Sequence, residues 1–209
     1  MKVHTKESQA TMTPEKALQF LIEGNERFLN NLKANRNLLQ QINDTRDGQF
    51  PFATILSCID SRVSAELVFD QGLGDIFSAR IAGNFVNEDI LGSMEFACKL
   101  AGTKLVVVLG HTSCGAIKGA CDHARLGNLT KLIQKIEPAV YAVIEPKEEA
   151  LRTSKNLDFV DAVSAKNILL TIDRIRKESP VLNEMEEDGD IKIIGAMYDI
   201  ATGAVEFYS

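Results

Sequence analysis

The chain has 209 residues, a length that predicts one domain, and its 45% hydrophobic and 25% charged residues are ordinary for a globular protein. Its net charge of −6 argues against binding to nucleic acid or an anionic membrane, because phosphate contacts need clustered cations. Apolar runs are far shorter than the ~20 residues of a membrane-spanning helix, and the first residues lack the apolar region of a signal peptide. We therefore expect a cytoplasmic protein with no membrane partner.

The predicted elements begin with an amphipathic helix over about residues 13–33. Thr13-Pro14-Glu15 is typical of a helix start, since it offers a hydroxyl cap, a proline in the first turn and an acidic residue. Apolar residues then recur at helical spacing, with a possible break near Gly24. The polar, weakly periodic stretch 35–51 predicts a connector. We treat residues 1–48 as an N-terminal helical arm and connector, and residues 49–209 as the core.

Short apolar runs in the core alternate with helical patterns. Buried strands are predicted at 52–56, 75–81, 104–109 and 191–197, with 204–208 completing a hairpin across Thr202-Gly203. Helices are predicted at 90–101 and 158–177. This alternation predicts an α/β fold over residues 1–209, a single domain with a mostly parallel central sheet flanked by helices.

Two of the predicted strands end in reactive residues. Cys58 follows the first, and His111 and Cys114 follow the third. Ligands bind beyond the carboxyl ends of parallel strands, and paired strands lie ~4.8 Å apart, which would bring His111 within reach of Cys58. Two thiolates and one imidazole suit a zinc ion and leave a fourth position open, as in catalytic sites. The competing interpretation is two buried, inert thiols.

Asp60 and Arg62 lie beside this predicted site. Asp60 is close enough to Cys58 in sequence to fill the open metal position or to contact a bound water. Arg62 can hold the Asp60 carboxylate in a two-pronged pair, which lowers its pKa and leaves it an acceptor only. Such a site is suited to making hydroxide near neutral pH. A purely structural ion pair is the alternative.

These motifs resemble those of the β-class carbonic anhydrases of the bacterial, zinc-dependent type. The sequence has C-x-D-S-R at residues 58–62 and G-H-x-x-C-G about fifty residues later. Four further segments are similar to family segments, so the resemblance runs from about Pro14 to the last strand. They are Glu23–Phe28, Phe69–Phe77, Arg80–Asn84 and Leu91–Glu95.

The resemblance implies a lyase that reversibly hydrates carbon dioxide to bicarbonate and a proton. It implies one Zn²⁺ per chain on Cys58, His111 and Cys114, with zinc-bound hydroxide oriented by an Asp60–Arg62 dyad. In some members the aspartate itself binds zinc, so Asp60 is also a candidate ligand. The implied partners are the small-molecule substrate and further copies of the chain, as a homodimer or tetramer with its active site at the dimer interface. The implied substrate-pocket residues are Gln71, Ala82, Gly83 and Gly115.

Two other functions fit the same ligands. One is hydrolysis of a carbon dioxide analogue, carbon disulfide or carbonyl sulfide, which rates on each substrate would distinguish. The other is a non-catalytic zinc module with Asp60 as a permanent fourth ligand, which activity above about pH 8 would contradict.

Overall fold

The computed structural model describes residues 3–208, and within them five strands form one sheet in the order β2-β1-β3-β4-β5. The first four strands run parallel, and β5 pairs antiparallel with β4, as the predicted hairpin requires. The α/β fold with a mostly parallel sheet is confirmed. The strands are β1 (Ala53–Ser57), β2 (Ile76–Arg80), β3 (Leu105–His111), β4 (Lys192–Tyr198) and β5 (Val205–Tyr208).

Helices cover both faces of this sheet. They are α1 (Lys6–Ala10), α2 (Pro14–Leu29), α3 (Leu38–Thr45), α4 (Ala65–Val68), α5 (Glu88–Glu95), α6 (Gly115–Cys121), α7 (Gly127–Ala142), α8 (Leu157–Glu178) and α9 (Pro180–Glu187). A π-helical turn, Phe96–Leu100, extends α5, and a 3₁₀ turn covers Glu149–Leu151. Within residues 3–208, helices that combine the length and the apolarity needed to cross a bilayer are absent.

Strands β1 and β3 form the buried centre, since every residue of both is buried. Two apolar clusters lie against them, one including Leu21 of α2 and the other including Ile168 of α8. Burying one such aliphatic side chain completely stabilises the folded state by roughly 1.5–3 kcal/mol relative to leaving it exposed. The register pairs Ser57 with Leu109, so the segments that follow β1 and end β3 meet at one edge of the sheet.

Helix α2 passes through Gly24 without the break that the sequence suggested. A Cβ at Gly24 would lie 1.8 Å from the carbonyl oxygen of Phe69, so a larger residue would push α2 away from the loop after α4. Glycine is needed here for close packing rather than for a bend. The helix ends at Leu29, earlier than predicted.

The predicted connector contains a helix, α3, that the hydrophobic pattern did not reveal. Asn37 caps its first turn by accepting a hydrogen bond from the Gln40 amide. The buried residue of α3 is the polar Gln41, whose side-chain oxygen accepts a hydrogen bond from the Leu73 amide at 3.2 Å. The apolar side chains of α3 are exposed instead, so a search for a buried apolar stripe misses this helix.

Candidate metal centre

Cys58, His111 and Cys114 converge at the edge where β1 and β3 end. One ligand atom from each lies within 4.8 Å of the others, and all three residues are buried. The two sulfur atoms are 3.9 Å apart. His111 is the last residue of β3, and Cys114 lies immediately before α6, so the pairing of β1 with β3 brings the three together. The predicted association of these side chains is confirmed.

The His111 ring is oriented for metal binding. Its Nδ1 lies 2.9 Å from the Thr112 carbonyl oxygen, which can only accept, so Nδ1 carries the proton and donates. Nε2 then presents its lone pair, and it is a buried atom with no hydrogen-bond partner among the described residues. An unsatisfied buried polar atom costs about 1–3 kcal/mol, and a metal ion would remove that cost. The donor set therefore fits a zinc ion.

The contact between the two thiols shifts their pKa values in opposite directions. The hydrogen bond from Cys114 lowers the pKa of Cys58, and the Gly83 amide, 3.4 Å from the sulfur, acts in the same direction. The same contact with Cys58, together with burial, raises the pKa of Cys114. A lowered pKa at Cys58 favours metal binding, because thiolate is the form that binds metal.

The Asp60 carboxylate faces this cluster while Arg62 holds it. Asp60 accepts hydrogen bonds from the Arg62 amide, Nε and Nη2 at 3.0, 2.9 and 2.7 Å. These contacts keep the pKa of Asp60 well below its ordinary value. The Asp60 Oδ2 atom lies 3.9 Å from Nε2 of His111. Asp60 is therefore an ionised acceptor beside the imidazole, as its position two residues after Cys58 predicted.

Arg80, which is not among the site residues expected from the motifs, fixes the loop that carries Cys58 and Asp60. Its guanidinium donates to the carbonyl oxygens of Cys58 at 2.9 Å and Asp60 at 2.7 Å. The available sequence signals were its place near the end of the predicted strand 75–81 and at the start of the family-similar segment 80–84. Three residues of α8, namely Asp161, Ser164 and Asn167, also contact the loops of the site.

The expected substrate-pocket residues lie in two places. Gly83 donates its amide to Cys58, Ala82 precedes it in the chain, and Gly115 begins α6 beside Cys114 with open space where a Cβ would project. Gln71 instead packs near α2, where its Nε2 donates to the Phe69 carbonyl at 2.6 Å and lies 3.0 Å from a Cβ built on Gly24. The role of these four residues in substrate binding stays a prediction.

Comparison with known proteins identifies the family. A family model described as carbonic anhydrase matches residues 53–205. A carbonic anhydrase of Mycolicibacterium smegmatis is 32% identical over 203 residues, covering 94% of both chains. Carbonic anhydrase 2 of Mycobacterium tuberculosis is 34% identical over 199 residues, covering 91% of this chain and 90% of that protein. The chain belongs to the carbonic anhydrase family.

Solved structures place the chain in the β class of carbonic anhydrases. The β-carbonic anhydrase CcaA superposes with a TM-score of 0.72 at 25% identity, over 92% of this chain and 87% of that one. A tetrameric β-carbonic anhydrase of Sordaria macrospora shares the fold at a TM-score of 0.72 and 22% identity, over 80% of this chain and 85% of that one. The predicted relationship to β-carbonic anhydrases is confirmed, and with it a carbonic anhydrase enzyme, a lyase.

Proposed function

We propose that the chain catalyses the reversible hydration of carbon dioxide to bicarbonate and a proton, with one zinc ion held by Cys58, His111 and Cys114. The observation that carries this proposal is the buried cluster of two sulfur atoms and the unpartnered Nε2 of His111 within 4.8 Å of one another. Three protein ligands leave one tetrahedral position open, which is the arrangement of catalytic zinc.

A zinc ion held at such a site would supply Lewis acidity, which lowers the pKa of a bound water to about 7. The protein's own contribution is orientation. Asp60 is ionised, so it accepts a hydrogen from whatever donor lies between it and the cluster, and it cannot donate one. The planar Arg62 guanidinium fixes the carboxylate through both oxygens and so fixes the direction in which Asp60 accepts.

The same geometry weighs against a permanently closed site with Asp60 as fourth ligand. Both Asp60 oxygens already accept from Arg62, and a metal would have to compete with that charge-assisted pair. A role for Asp60 as an alternating ligand remains compatible, because Oδ2 is near His111 Nε2.

The assembly we propose is a homo-oligomer, a dimer or tetramer, with the active site at a subunit interface. Support comes from the arm, where helix α3 exposes Leu38, Leu39 and Ile42 on its surface. Contiguous exposed apolar side chains of this kind are typical of protein–protein contacts. The tetrameric relatives from Sordaria macrospora agree with this proposal. The division of the chain at residue 48 into arm and core stays a prediction.

A cytoplasmic location completes the proposal. All four cysteines are free thiols in the structure, although the Cys58 and Cys114 sulfurs lie 3.9 Å apart. A reducing compartment keeps such thiols available as metal ligands.

The decisive test is stopped-flow carbon dioxide hydration between about pH 7 and 9, with zinc content measured on the same sample. We expect about one zinc per chain and turnover that rises with pH. Cys114→Ser replaces a thiolate ligand and should lose both the metal and the activity. Full zinc without turnover across that range would contradict the proposed reaction, and carbon disulfide would then be the next substrate.

A further inference from the structure

Helix α8 has three polar residues on the side that faces the metal centre. Asp161, Ser164 and Asn167 are spaced three apart, so they follow one another along one face of the helix. Ser164 and Asn167 are buried, at positions where the flanking Val163 and Ile168 would predict more apolar residues. Each of the three forms a hydrogen bond with a backbone group at or next to a proposed metal ligand. We call Asp161, Ser164 and Asn167 the polar stripe.

The first member contacts the turn between His111 and Cys114. The Asp161 Oδ1 atom accepts a hydrogen bond from the Ser113 amide at 2.7 Å. Ser113 has a φ of 55°, in the left-handed region that costs a non-glycine residue roughly 1–2 kcal/mol. This conformation turns the chain so that a residue three positions after the strand end points back at His111. Asp161 thus holds the backbone of a residue in this strained conformation, directly before Cys114.

The other two members reach the remaining ligands. Ser164 donates to the carbonyl oxygen of His111 at 3.1 Å. Asn167 donates to the carbonyl oxygen of Gly83 at 2.8 Å, and the Gly83 amide in turn donates to the Cys58 sulfur. From one helix, the polar stripe therefore contacts the backbone of His111 and of the residue before Cys114 directly, and it reaches Cys58 through Gly83.

We infer that the polar stripe of α8 sets the geometry of the three ligands, with Asp161 as its principal positioning residue. The inference rests on the proposed zinc site. Groups that orient metal ligands without touching the metal typically change affinity by 10- to 100-fold when they are removed. The three contacts are not needed to cap α8, because the Asn156 side chain already does so by accepting a hydrogen bond from the Phe159 amide. Stabilisation of the helix therefore does not explain why the polar stripe contacts these segments.

The test compares the rate at which zinc-loaded protein loses its metal to a chromogenic chelator. Asp161→Ala should lose zinc about 10- to 100-fold faster than the unsubstituted chain. Asp161→Asn keeps an acceptor oxygen and should restore most of the retention. The matched control is Asp158→Ala, which removes an exposed carboxylate one turn earlier in α8 and should leave the rate unchanged. Cobalt-loaded protein adds a readout of geometry, because Asp161→Ala should alter the thiolate-to-metal absorption and Asp158→Ala should not.

Circular dichroism and thermal unfolding establish that each variant folds. If Asp161→Ala does not fold, Ser164→Ala takes its place, with the same expected direction of effect. Equal zinc loss from the Asp161→Ala and Asp158→Ala proteins, with identical cobalt spectra, would overturn the positioning role while leaving the proposed function intact. If the unsubstituted chain binds no zinc, both the positioning role and the proposed function are overturned. In that case the Asp158→Ala control and every other variant would also bind no zinc.

Discussion

Two aspartates of this protein are each held by arginine, and they differ in what surrounds them. Asp60 pairs with Arg62 two residues away, and the Arg62 side chain is 53% exposed. Asp70 pairs with Arg27 and Arg36, which are 43 and 34 residues away, and the Asp70 side chain is 5% exposed. The Ala34 amide also donates to Asp70. Asp60 faces the imidazole of His111, whereas Asp70 joins helix α2 and the segment before α3 to the loop after α4.

The contrast shows that the role of an Asp–Arg pair depends on its burial and its surroundings. A local, partly exposed pair adds little to stability, so Asp60 is free to serve chemistry. A buried carboxylate shared by two distant guanidinium groups is costly to disrupt, because the charges that remain lose their compensation. We therefore expect the Asp70 cluster to determine whether the arm docks and the Asp60 pair to determine whether the site works.

Asp70→Asn should produce the largest loss of stability, about 3–5 kcal/mol in the free energy of unfolding. Asn tolerates the φ of 43° found at Asp70, so the loss reports the missing charge rather than backbone strain. Urea unfolding measures it. Asp47→Asn is the matched control, since Asp47 pairs with Arg46 on the surface and should change stability by less than about 0.5 kcal/mol. Equal effects of the two substitutions would refute the structural role of Asp70.

Asp60→Asn should have the contrasting effect. The unfolding free energy should change little, and turnover should fall strongly. The amide keeps one acceptor oxygen, and its NH2 group replaces the second, so it is uncharged and accepts from Arg62 through one atom only. We expect kcat/KM for carbon dioxide to fall about 100-fold or more. Zinc content should stay near that of the unsubstituted chain, because the three proposed ligands are untouched. Full activity across the pH range would show that the Asp60–Arg62 dyad is not part of the mechanism.

The smallest effect is a difference in acid sensitivity. Burial opposes ionisation of Asp70, but hydrogen bonds from Arg27, the Ala34 amide and Arg36 outweigh it and lower its pKa. A carboxyl whose folded-state pKa is depressed stabilises the fold above its unfolded value of 3.8, and that contribution disappears as the pH falls through the folded value. One proton limits the slope to about 1.4 kcal/mol per pH unit.

Unfolding free energy measured as the pH is lowered from about 5 tests this. Below about pH 3.8, the ordinary pKa of an aspartate carboxyl, the unfolding free energy of the unsubstituted chain should fall more steeply than that of Asp70→Asn. Parallel curves would mean that Asp70 titrates alike in the folded and unfolded states, and would remove the ion-pair explanation for its burial.

The sequence was sufficient where structure depends on nearby residues. The strands β1 and β3 follow from apolar runs. The cluster of Cys58, His111 and Cys114 follows from where those runs end, because parallel neighbours bring their carboxyl ends together. The Asp60–Arg62 pair lies within three consecutive residues, so spacing alone predicted it. Helix α3 was missed because its apolar residues are exposed and its buried residue is Gln41.

The rest depended on contacts between distant segments. The left-handed Ser113 is held by Asp161, 48 residues later, and the Gly83 carbonyl by Asn167, 84 residues later. The Asp70 cluster likewise spans three segments. Hydrophobic periodicity records which face of an element is buried, but not which polar group on that face meets which backbone atom. The sequence alone predicted that Cys58, His111 and Cys114 lie together, and it predicted the two strands next to which they lie. The contacts of α8 with these segments became visible in the tertiary structure alone, because they depend on packing between residues far apart in the chain.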